Sequence, residues 1–205
     1  MCFSATASFT ASAALGIVGT AALIKNKNKN ARPLMAVPLF FALQQFVEGL
    51  LWLSLMSRPG YVLPLTHIFL FFALLFWPVY IPLAALMLEI KKSRRLLVLI
   101  FCIGGAVVGV ILYVSFLFQP EAAQVVNRCL YYPSVAPYPT FLGYLYILVT
   151  VGVGVVSSKK IIKLFTLLVL IFSLFTWYFY AVNFISVWCF FAAIISIVLY
   201  FYPKK

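Results

Sequence analysis

The chain has 205 residues, of which 66% are hydrophobic, 18% aromatic and only 9% charged. A soluble domain carries about 25% charged residues, so this composition excludes a cytosolic enzyme, a secreted disulfide scaffold and a nucleic-acid-binding domain. The net charge of +12 rests on 15 Lys and Arg against Glu48, Glu89 and Glu121; the basic residues stand in short blocks between apolar runs, as in the cytoplasmic loops of membrane proteins rather than on a nucleic-acid surface.

A membrane-spanning helix needs about 20 mostly apolar residues. Seven such runs follow one another, at 3–24, 34–56, 65–88, 96–118, 140–157, 164–181 and 184–202. The expected fold is an all-α polytopic membrane protein with seven transmembrane helices in one domain, 1–205. The last two runs are barely separated, which leaves a six-span form with a long tilted last element as the alternative. The basic residues orient the chain. Lys25, Lys27, Lys29 and Arg32, then Lys91, Lys92, Arg94 and Arg95, then Lys159, Lys160 and Lys163, and finally Lys204 and Lys205 occupy alternate connections. The other side holds Arg58 and Arg128 alone. The positive-inside rule then puts the N-terminus outside and the C-terminus in the cytoplasm, which requires an odd number of spans. The opening residues lack a basic n-region, which argues against a cleaved signal peptide. The outer stretch 119–138, with Pro120, Pro133 and Pro137, is expected to be irregular and interfacial. Spans 1–3 and 5–7 share one charge plan, compatible with a three-plus-one-plus-three repeat of the kind found in some transporters.

Inside a bilayer a polar residue is costly unless it is paired or faces a cavity. Gln44, Gln45, Glu48 and Trp52 share one face of the second span, and Glu48 is the one acid within any run. Two readings stand open: a proton- or ligand-binding carboxyl, or a hydrogen-bond clamp between helices. The functional reading expects Glu48→Gln to remove function and leave folding intact. His67, the single histidine, opens the third span and could pair with Glu48. Trp77-Pro78-Val79-Tyr80-Ile81-Pro82 lies mid-span, where two prolines kink the helix and free carbonyls. Gly105 and Gly109 form a small-x3-small packing motif. Trp177, Tyr180, Asn183 and Trp188 cluster where the sixth run meets the seventh. They read as an aromatic belt or, with Glu48, Trp52, Trp77 and Tyr80, as walls of an outward-facing pocket. Cys102 is mid-span, whereas Cys2, Cys129 and Cys189 lie near the outer side, where a Cys2–Cys129 disulfide could persist.

No P-loop, Gly-x-Ser-x-Gly or His-Glu-x-x-His motif is present, a single histidine supplies no metal site, and no cofactor is implied. Four ordered motifs mark a resemblance: MCFSATASF at 1–9, Gln45-x2-Glu48-Gly49-x2-Trp52, Trp77-Pro78-Val79-Tyr80-x-Pro82 and Ser186-x-Trp188-Cys189-Phe190-x-Ala192. Together they resemble a domain-of-unknown-function family of small bacterial integral membrane proteins. The resemblance implies a multi-pass protein of the bacterial plasma membrane and no activity. Members often carry histidine near position 44 and in the outer loop, where this chain has Gln44 and Asn127-Arg128-Cys129. The expected function is binding or transport of a small molecule or lipid at the Glu48 pocket. The alternatives are an intramembrane enzyme with Glu48 as general base, assisted by Cys2 or His67, and a sensor or assembly subunit. The lipid bilayer is the expected environment, and a homo-oligomer stays open.

Overall fold

The computed structural model describes residues 4–135 and 141–202. Helix α1 (Ala5–Lys25) starts where the Ser4 hydroxyl accepts the Ala7 N–H, and it runs antiparallel to α2 (Arg32–Ser57). Helix α3 (Val62–Leu70) continues through a π-helical segment, Phe71–Phe76, into α4 (Trp77–Leu88). Then come α5 (Lys92–Phe118), strands β1 (Gln124–Val126) and β2 (Cys129–Tyr131), α6 (Phe141–Val151), α7 (Val153–Val156), α8 (Lys160–Tyr180) and α9 (Phe184–Ile195). Among the described residues five helical stretches are long and apolar enough to cross a membrane: Ala5–Lys25, Lys29–Ser57, Pro59–Leu88, Lys92–Phe118 and Lys160–Phe201. The last is interrupted by a 3₁₀ turn at Ala181–Asn183. The fifth expected run carries a shorter apolar helix, Phe141–Val156. The most apolar of the five, α5, is also the least buried, the reverse of what water would select and what a lipid-facing helix requires.

The outer stretch departs from the expected irregular loop. β1 and β2 pair antiparallel, Val126 opposite Cys129. The two residues between them, Asn127 (φ 53°) and Arg128 (φ 60°), are both left-handed, as a type I′ hairpin turn demands. No glycine advertises this turn, which hid it from sequence reading. Positions 136–138 of that stretch lie outside the described residues.

The kink is where the fold is most specific. Trp77 N–H donates to Phe72 five residues back, so the chain has widened by one residue. Pro78 has no N–H to continue that pattern onto Ala73. The Tyr146 hydroxyl of α6 donates to the orphaned Ala73 carbonyl at 2.6 Å. The Pro78 carbonyl faces Gly105 of α5, where a Cβ would lie only 1.8 Å away. The Leu74 carbonyl faces Gly109 in the same way, at 3.1 Å from a Cβ built there. The small-x3-small stripe is thus a seat for the bent helix.

At the opposite end to the hairpin the basic connections converge. Lys25 Nζ donates to the Tyr200 carbonyl at 3.1 Å, and Arg94 reaches the Val156 carbonyl. Glu89, just past α4, accepts from the Ser158 N–H and hydroxyl, both at 2.8 Å. Burial alone would raise this carboxyl. The Ser158 hydrogen bonds, the Lys91 backbone and the Lys159 charge outweigh burial and hold it below the usual carboxylate range. A folded-state value below the unfolded one gives stability that is present above the ordinary value of 4.5 and lost as pH falls through the folded value. Melting of the detergent-solubilised protein should therefore drop on acidification below that point, and Glu89→Gln should flatten this acid limb. An unchanged limb in the variant would assign it elsewhere.

Candidate functional site

Two neighbouring features meet under the hairpin. The first is a buried polar cluster between α2 and α9. Gln44, Gln45 and Glu48 are each fully buried. Gln45 Nε2 donates to Glu48 Oε2 at 2.9 Å, and the Ser186 hydroxyl of α9 donates to Glu48 Oε1 at 2.5 Å. Trp77 Nε1 donates to Gln44 Oε1 at 2.7 Å while its ring stacks on Phe41. Helical spacing places Gln44 and Gln45 about one turn before Glu48, on the side of α2 that faces the bundle. The Gln–Glu–Ser contacts tie α2 to a helix 138 positions away in sequence. Neither Glu48 nor Ser186 lines either of the two cavities described below.

The second feature is a cavity of about 450 Å³ beside that cluster. Its walls come from the π segment, α5, β2 and the residues after it, α6, α8, the 181–183 turn and α9. No side chain on them carries a formal charge. Tyr132 and Cys189 separate the cavity from the Glu48 cluster. Burial pushes the Tyr132 hydroxyl well above the usual tyrosine range, so the hydroxyl stays protonated. Tyr132 Oη and Trp188 Nε1 are buried without a hydrogen-bond partner. Trp188 also borders a smaller void of about 40 Å³ that shares Tyr146 and Cys189 with the large one. That volume is enough to hold water.

The predicted site residues divide accordingly. Gln44, Gln45, Glu48 and Trp77 form the polar cluster. Trp177, Asn183 and Trp188 line the cavity. Asn183 has a structural duty as well: its Nδ2 donates to the Val126 and Leu130 carbonyls at 3.2 and 3.1 Å, pinning the hairpin onto α9. Trp52 packs at the edge of the neighbouring apolar core, its Nε1 buried without a partner. His67 lies against Phe116 at 4.7 Å between rings, and Glu48 takes its hydrogen bonds from Gln45 and Ser186 instead. Tyr80 points the other way, donating to the Pro33 carbonyl at 2.9 Å. Tyr180 packs beside Phe175, off the cavity wall. Cys129 is held in a disulfide, whereas Cys102 and Cys189 are free thiols. The expected partner, Cys2, lies outside the described residues. Sequence reading missed Ser186, Tyr132 and Tyr146. Ser186 opens the last of the four motifs, but nothing there marks it as the partner of Glu48, and nothing marks the two tyrosines.

Among the described residues no group of three or more His, Cys, Asp or Glu could hold a metal ion. The family model described as a family of unknown function, DUF6629, matches residues 1–205. No curated protein and no solved structure matches the chain.

Proposed function

Since the chain belongs to DUF6629, a family of unknown function that brings no activity with it, we propose a function from the geometry alone: a membrane-embedded protein that binds a small molecule in the cavity beneath the hairpin. The observation that carries this reading is the cavity itself. Its volume of about 450 Å³ falls within the range of small-molecule sites, which are mostly apolar with a few convergent polar groups. Glu48 serves it indirectly, by fixing α9 and hence Trp188 and Cys189 on the cavity wall.

The proposed setting is a bacterial plasma membrane, crossed seven times, with the N-terminus outside and the C-terminus cytoplasmic. Two observations support it. Lys25, Arg94 and the Glu89–Ser158 contact gather at one end of the bundle, and the hairpin, pinned by Asn183, lies at the other. The basic connections thus share the face the positive-inside rule calls cytoplasmic.

The test is native mass spectrometry of the gently solubilised protein. A discrete bound molecule should be seen on the wild type. It should be lost from Ser173→Leu, which fills the cavity from α8, and from Ile147→Phe, which fills it from α6. An empty wild type, or a molecule that both variants retain, would overturn the reading.

A further inference from the structure

We infer that the cavity takes an uncharged lipid-like molecule, a single hydrocarbon chain ending in a hydrogen-bonding head such as an alcohol, and that the molecule comes in sideways from the bilayer between α6 and α8. This rests on the cavity reading above and adds to it the ligand class and the route.

The head must be neutral. No Asp, Glu, Lys, Arg or His lines the cavity, so a charged head would be desolvated without a partner, which is far costlier than burying an alcohol. The polar groups on the walls are mostly occupied. Tyr146 is spent on the Ala73 carbonyl, Ser173 on the Leu170 carbonyl and the Asn183 amide on the hairpin. Among the buried side chains of the wall, what remains unpartnered are the Tyr132 hydroxyl and Trp188 Nε1, two uncharged donors. They suit an acceptor oxygen. The volume suits one chain rather than a two-chain phospholipid, because cavities of this size hold a single drug-sized molecule.

The route follows from which lining residues reach the surface. Towards the hairpin the cavity is roofed by Leu130 and Tyr132, 0% and 2% exposed. On the flank, Tyr144 of α6 and Leu174 and Trp177 of α8 are each more than half exposed, and Val182 nearly so. All four are apolar or aromatic, and α8 belongs to a membrane-length stretch. A mouth framed this way faces acyl chains. It admits a molecule already dissolved in the bilayer.

The full chain would be reconstituted in neutral phosphatidylcholine vesicles and titrated with a brominated long-chain alcohol or the matching brominated fatty acid at alkaline pH. Bromine quenches tryptophan on contact, and Trp177 and Trp188 line the cavity. The alcohol should quench saturably, and the acid should be about tenfold weaker because it must bring an unpaired charge. Ser173→Leu and Ile147→Phe should abolish the saturable part. Leu174→Glu, at the mouth, should slow its onset without changing its final extent. Equal or stronger saturable quenching by the acid, abolished by the filling variants, would overturn the ligand class and leave the cavity reading standing. No saturable quenching by either probe, together with a bound molecule by mass spectrometry, would also overturn the class alone. No saturable quenching and no bound molecule would overturn both. An onset unchanged in Leu174→Glu would overturn the lateral route.

Discussion

Gly105→Ala should lower the melting temperature of the solubilised protein by about 10 °C, whereas Gly104→Ala, one residue away on the same helix, should leave it near wild type. At Gly105 the new methyl would sit 1.8 Å from the Pro78 carbonyl oxygen, and backbone is what it meets. At Gly104 the nearest atom is a Val149 side-chain methyl at 3.3 Å, which can yield by a few tenths of an ångström. Overpacking a core with one methyl costs about 1–3 kcal/mol where side chains can adjust. Here α5 must move away as a body from a carbonyl whose position is fixed by the proline kink, so the upper end applies. For chains of this size about 3 kcal/mol corresponds to roughly 6–12 °C. The consequence extends past stability. α5 brings Leu112 to the cavity wall, and the kinked helix brings Ala73 and Leu74. A displaced α5 should therefore weaken retention of any cavity-bound molecule as well. Equal melting of the two variants would mean that the bent helix does not seat on Gly105.

Much of this arrangement was legible in the chain because hydropathy and charge are local. The run 34–56 became Arg32–Ser57, and 96–118 became Lys92–Phe118. Each helix extends past its apolar run into basic residues, because backbone hydrogen bonding continues where hydropathy ends. The prolines at 78 and 82 announced a kink. Its widening into a π segment was not announced, since it depends on Tyr146 supplying the hydrogen that Ala73 lacks. The hairpin was hidden because its strands are three residues long and its turn is Asn-Arg rather than Asn-Gly. The stripe Gln44, Gln45 and Glu48 could be placed on one helix face from spacing alone. Its partner Ser186 could not be named, because nothing in a single sequence couples positions 138 apart. For the same reason the aromatic residues of 175–188 could not be sorted. Trp177 and Trp188 reach the cavity, while Tyr178 is 81% exposed on the lipid-facing surface.

Glu48→Leu should be the most damaging of the changes at the polar cluster, and restoring stability should require removing its partners too. The substitution strands Gln45 Nε2 and the Ser186 hydroxyl, both buried and both donating to the carboxyl. Each unsatisfied buried group costs about 1–3 kcal/mol, so a loss of about 3 kcal/mol overall is expected, seen as a large fall in melting temperature. Glu48→Gln should cost only about 1 kcal/mol, the net worth of one neutral hydrogen bond. Its amide oxygen still accepts one bond, and the Ser186 hydroxyl can rotate to accept from the new amide. The triple change Gln45→Leu, Glu48→Leu and Ser186→Ala should recover most of the lost stability, because replacing donors and acceptor together leaves nothing unsatisfied. This ordering separates the clamp from a carboxyl that acts on a ligand directly. A clamp predicts that the triple variant melts near wild type and keeps a cavity-bound molecule, since α9 is again held by packing and Trp188 returns to its place. A carboxyl acting directly predicts that Glu48→Gln folds normally yet loses the bound molecule. Glu48→Leu as stable as wild type would show that the bonds to Gln45 and Ser186 do not hold α2 to α9.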